Sequence, residues 1–121
     1  MERRFTVEEA NAELDWLREL LPDLREARRR LLQGAERIRS AAGRNGGGKG
    51  GAERLEAAAT IRHGVERIAD AGIVLRDADT GLVDFPSERD GRQVFLCWRL
   101  GEEAVGHWHD VDAGLGGRKP L

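Results

Sequence analysis

Arg92-Gln93-Val94-Phe95-Leu96-Cys97-Trp98-Arg99-Leu100 is the stretch on which the fold turns. In an extended chain, successive side chains alternate between two faces. Val94, Leu96 and Trp98 then share one face, and Phe95, Cys97 and Arg99 share the other. Two shorter apolar runs precede it, Ile73–Arg76 and Leu82–Phe85, joined by a glycine-containing turn over 77–81. Pro86 is expected to stop the second run, and 87–91 to turn the chain again. The spacing predicts a small three-stranded antiparallel meander over 73–100. Beyond it, 101–121 is rich in glycine and is expected to form an irregular tail.

Upstream of Gly72 the apolar period changes. Residues 6–42 read as helix. Thr6 is a good N-cap, Glu9 completes a capping-box pattern, and Phe5 is placed to staple against Ala10. The apolar positions are Ala10, Leu14, Leu17, Leu21, Leu24, Leu31, Ala35, Ile38 and Ala42, with Arg28 as the polar interruption. Steps of four and three alternate along this stripe, the period of a coiled coil or a long helical hairpin. Pro22 lies inside it and costs a backbone hydrogen bond. The stripe keeps its phase through Pro22, which favours a kink over a break into 7–20 and 22–42. Residues 43–51 contain six glycines and read as a flexible linker. A phosphate-binding loop fails on context, because Lys49 is followed by Gly50 and the segment before it is helical. A second helix spans 52–71, with Gly72 as its C-terminal stop. The fold class is therefore α+β: a long helical hairpin, a meander and a tail, all within a single domain over 1–121.

Composition narrows the function classes. The chain has 121 residues, 40% hydrophobic, 35% charged and 5% aromatic. No run approaches the roughly 20 apolar residues that span a bilayer, and no signal-peptide h-region is visible, so no membrane is expected. A single cysteine suits a reducing, cytoplasmic setting. A net charge of −2 argues against nucleic acid as a partner. Of the 20 basic residues all but Lys49 and Lys119 are arginine, which codon usage in a GC-rich genome explains more simply than anion recognition does. Arg25, Arg28, Arg29 and Arg30 are interleaved with Asp23 and Glu26 and read as a solvated face with salt bridges.

The reactive side chains concentrate after residue 80. His107-Trp108-His109 is the sharpest signal. In an extended segment both imidazoles point to one side. With Glu102, Glu103, Asp84 or Cys97 as a further ligand they could hold a divalent transition metal, zinc or iron. The plainer reading makes Trp108 a core plug between two polar residues. Cys97, the only thiol, is most simply a small buried hydrophobe. As a nucleophile it would need a His or Arg neighbour to lower its pKa. Arg92, Arg99 and Arg118 could bind a carboxylate or phosphate, or pair with Asp84, Glu102 and Glu103. His63, alone in a helix, is left out of the site.

Certain of these segments are similar to a known family. Phe5-Thr6-Val7-Glu8-Glu9-Ala10-Asn11 resembles the opening of the bacterial DUF2203 family, a domain of unknown function. The Gly81–Pro86 segment, Val94-Phe95-Leu96-Cys97-Trp98-Arg99-Leu100-Gly101-Glu102, Trp108-His109 and Gly117-Arg118 resemble it in the same order. The resemblance runs over essentially the whole chain. It implies a small soluble protein with a helical hairpin followed by a strand-rich part. It adds weight to Asp84, Cys97, Arg99, Glu102, His109 and Arg118 as a working set, with His107 outside its motif.

Two functions follow as expectations. One is a metal- or small-ligand-binding protein with a polar site in the C-terminal half. The other is a helical homodimer, an interaction module without chemistry of its own. A helix over 6–42 would be about 55 Å long, whereas a compact domain of this size has a radius of gyration of about 14 Å. The overhanging leucine seam is expected to meet a second copy.

Overall fold

A computed structural model of the chain describes residues 3–40, 51–113 and 115–121. All of the 43–51 linker but Gly51 lies outside the described residues. The first helix, α1, spans Val7–Ala12. Its capping box is formed: the Glu9 N–H donates to Thr6 Oγ1 at 3.1 Å, and the Thr6 N–H donates to Glu9 Oε1 at 2.9 Å. Phe5 and Ala10 are both buried in the core. A turn at Glu13 follows, and α2 runs from Leu14 to Ser40. The third helix, α3, covers Gly51–Asp70.

The interruption of the first helical segment therefore falls at Glu13, and α2 passes through Pro22 unbroken. Side-chain and backbone demands explain the shift. The Asn11 side-chain oxygen accepts the Val105 N–H at 2.8 Å. Glu13 takes the Trp16 indole N–H at 2.5 Å and the Arg3 guanidinium at 3.1 Å. These ties pin the chain where α1 ends. Pro22 is exposed, while Leu21 and Leu24 on either side of it are buried. Packing on both sides holds the helix across the missing N–H.

α2 and α3 pack antiparallel. Leu24 faces Gly64, and ten residues further along α2 Gly34 faces Arg54. Gly64 has no side chain because the Leu24 isobutyl group occupies the space a Cβ would fill. Leu14, Leu17, Leu21 and Leu24 are spent inside the chain, in one core with Ile68 and the sheet. Arg29 and Arg30 pair with Glu26, and Arg28 reaches Asp79, so this basic face carries salt bridges.

The sheet has five strands where the spacing predicted three. They are β1 (Val74–Asp77), β2 (Leu82–Arg89), β3 (Arg92–Arg99), β4 (His107–Asp110) and β5 (Lys119–Pro120). All pair antiparallel in sequence order. β2 continues through Pro86 to Arg89. Beyond Asp84, β1 has ended, and the Phe5 N–H donates to the Pro86 carbonyl at 2.7 Å from that side. The proline nitrogen faces the same side as its carbonyl, so no bond to β3 is lost. The turn shortens to Asp90-Gly91, whose φ of 53° and 75° are those of a tight two-residue hairpin.

The expected irregular tail instead adds two strands. His107–Asp110 pairs with Val94–Cys97 of β3, and Lys119–Pro120 then pairs with β4. Glycine at 101, 106, 116 and 117 falls in the connections between strands, where it does not weaken a ladder. Val83, Phe85, Val94, Leu96, Trp98 and Trp108 face the helices and are buried. No helix among the described residues is long and apolar enough to cross a membrane.

Candidate metal centre

The site lies on the sheet face turned away from the helices. Register builds it. Asp84 on β2 is opposite Cys97 on β3, which is opposite His107 on β4, while Phe95 is opposite His109. Asp84 and His109 are therefore two strands apart and diagonal. They meet over β3, above the small Cys97 side chain, with His109 Nε2 at 2.8 Å from Asp84 Oδ2. Asp84, Cys97 and His109 are all buried, and one ligand atom from each lies within 4.8 Å of the others. A pocket of about 360 Å³ opens onto the three, lined also by Arg76, Leu82 and Val111–Ala113.

Neighbouring groups orient these side chains. Arg76 Nε donates to Asp84 Oδ2 at 2.7 Å, and its guanidinium stacks 4.9 Å from the Phe95 ring centre. His109 Nδ1 lies 2.9 Å from the Asp110 carbonyl oxygen. Asp84 Oδ1 is buried with no hydrogen-bond partner. Burial pushes the Cys97 thiol above its ordinary pKa, and the Asp84 carboxylate pushes the same way against the opposing Arg118. Cys97 thus rests as a thiol and lacks the lowered pKa of an activated nucleophile.

A profile of the family described as "Uncharacterized conserved protein (DUF2203)" matches residues 3–121. The chain belongs to the DUF2203 family. No curated protein and no solved structure matches it. Membership of DUF2203 carries no assigned chemistry, so the residues must supply it.

The remaining residues expected at the site of this DUF2203 protein divide into two sets. Glu102, Arg99, Arg118 and His107 gather beside Cys97 on the same face. Gly101, at a φ of 105°, turns the chain so that the Glu102 carboxylate accepts the Arg99 backbone N–H at 2.7 Å. Arg118 donates to the same Glu102 oxygen, and His107 Nδ1 stands 3.7 Å from the other. Burial opposes the charge on Glu102, but the hydrogen bonds from Arg118 and Arg99 hold its carboxyl below the usual range. Burial likewise opposes the Arg118 charge, and Glu102 and Cys97 more than offset it. Glu103 and Arg92 stand apart from both groups. Glu103 is exposed and its carbonyl accepts Arg18, while Arg92 pairs with Asp110 at 2.9 Å. His63 is exposed on α3.

Arg76 is the site residue that sequence reasoning missed. A usable signal existed: in a β1–β2 hairpin, an arginine near the level of Asp84 is a natural cross-strand partner for it. Asp84, read from the sequence both as a possible further metal ligand and as a partner for the arginines, lies with Cys97 and His109 and also pairs with Arg76.

Proposed function

We propose that this DUF2203 protein binds a divalent transition metal ion, zinc in preference to iron, through Asp84, Cys97 and His109. The state of His109 carries the reading. The Asp110 carbonyl can only accept, so His109 Nδ1 is the protonated nitrogen. In a neutral ring, Nε2 then turns a lone pair toward the Asp84 carboxylate at 2.8 Å. A metal ion held between the two relieves that opposition. Metal-binding histidines are held through their other nitrogen in this way. The orphaned Asp84 Oδ1 offers a buried anionic oxygen, and Cys97 a soft third ligand.

One thiolate, one imidazole and one carboxylate suit zinc. A two-histidine iron site would need His107, whose ring faces Glu102 instead. Bound zinc would displace the Cys97 proton and leave a coordination position toward the pocket for water or a small ligand. Metal analysis of untagged protein and calorimetric titration with zinc test the reading. Asp84→Asn, Cys97→Ser and His109→Ala are each expected to weaken zinc binding by about 100-fold or more, with Glu103→Gln and His107→Ala close to wild type. A wild-type chain that takes up no zinc, iron, cobalt, nickel or copper on titration sinks it.

Pairing of two copies along the helices is the second reading. Its support is at the far end of the α2–α3 pair, where Leu32 is 53% and Leu55 75% exposed. Light scattering at micromolar concentration decides it, and a monomer removes it.

A further inference from the structure

We propose that the polar sheet face also carries an oxyanion subsite, in which Arg99, Arg118 and His107 hold one carboxylate or phosphate group of a small ligand. The proposal deepens the metal reading by naming the class of ligand that would approach the ion, although the subsite itself stands without the ion.

Position comes first. Arg99 is the next residue after Cys97 on the same face of β3, about 7 Å along the strand. His107 is opposite Cys97 on β4. Arg118 comes from the C-terminal segment and lies beside the Cys97 thiol. The three cationic or donor side chains thus surround one side of Cys97, while Asp84 and His109 take the other.

Unmet donors come second. Arg99 Nε and Arg118 Nε are each buried without a hydrogen-bond partner, and His107 Nδ1 also makes no hydrogen bond, standing 3.7 Å from the Glu102 carboxylate. Among the described residues, no side-chain ion pair or hydrogen bond is formed by the Arg99 guanidinium. Leaving buried donors unpaired is costly, and native structures do it rarely. Two unmet guanidinium N–H groups on the same side of one thiol mark a place for an acceptor that the chain does not contribute.

Charge comes third. Asp84 balances Arg76, and Glu102 balances Arg118. Arg99 remains uncompensated, within a chain whose net charge is −2. A guanidinium offers parallel N–H groups that match a carboxylate or phosphate. With Glu102 already paired to Arg118, the subsite suits a single anionic group. A ligand held there by that group would extend over Cys97 toward the ion.

Nuclear magnetic resonance of the full chain tests this directly, because arginine Nε–H signals can be followed one by one. Metal-free protein is titrated with inorganic phosphate and, separately, with malonate. Saturable shifts of the Arg99 and Arg118 Nε–H signals are expected. Arg99→Gln should weaken binding by about tenfold or more, and Arg99→Lys should restore part of it. Arg92→Gln, on the opposite face, should leave binding unchanged. Tighter binding of phosphate assigns a phosphate-bearing ligand, and tighter binding of malonate a carboxylate. The proposal is overturned if neither anion gives saturable shifts, or if Arg99→Gln binds as tightly as wild type. Zinc titration of the same samples separates the two readings. A chain that binds zinc but neither anion loses the subsite alone, and one that binds an anion but no metal loses the metal centre alone.

Discussion

The two faces of the sheet are made from alternate residues of the same strands, and their chemistry is opposite. Toward the helices lie Val83, Phe85, Val94, Leu96, Trp98 and Trp108, packed against Leu14, Leu17, Leu21, Leu24 and Ile68. Away from them lie Asp84, Cys97, Arg99, His107 and His109, joined by Arg76 and by Arg118 of the C-terminal segment. Apolar burial stabilises the first face by roughly 25 cal/mol per Å² and holds the strands in register. The second face gains its geometry from that register, since slipping one strand by a single residue would exchange its faces. The packed face therefore positions the polar one, and damage should travel from the first to the second more readily than back.

The harshest way to break this relation is Trp98→Ala. It is expected to cost about 3–5 kcal/mol of stability in urea unfolding, and to weaken zinc binding although the Trp98 side chain lies on the packed face, away from the site. Retention of full zinc affinity at reduced stability would show that the two faces are independent. Next is Gly64→Ala, in the helix layer that covers the packed face. In an open helix this change stabilises by up to about 1 kcal/mol. Here Leu24 fills the space, so a net loss of about 1–3 kcal/mol is expected, read as a lower melting temperature.

On the polar face, Arg76→Gln should weaken zinc by about tenfold with a smaller effect on unfolding, because Arg76 orients Asp84 from outside the ligand set. The mildest test uses pH. Glu102 has a folded pKa below its unfolded one, so its stabilising contribution is complete above the ordinary carboxyl range and fades as pH falls through the folded value. Glu102→Gln should flatten that part of the stability profile, measured by thermal unfolding between neutral and acid pH. An unchanged slope would mean that the Arg118 pair contributes nothing to folding.

Much of the fold was legible. The capping box at Thr6 and Glu9 needs only local spacing, and it forms as read. β3 was placed by alternation, which is local too. The turn at Glu13 was not legible, because one of the ties that hold it comes from Val105, 94 residues from Asn11. Pro86 misled for a similar reason: its side of β2 is open past β1, a fact of pairing and not of composition. β4 and β5 were hidden by glycines that lie between them. At the site, His109, Cys97 and Asp84 were all singled out by residue type. Glu103 and Arg92 were grouped with them by proximity along the chain, which does not survive folding.

Sequence alone determined the helical stripe, the alternation of β3, the α+β class and the inventory of ligand-type side chains. These rest on periodicity and residue chemistry, which short segments carry by themselves. Tertiary structure decided which of those side chains meet. Asp84 and His109 are 25 residues apart and touch only because β2, β3 and β4 pair in one register over a packed apolar face. That register is a property of the whole core, and no local window of the chain contains it.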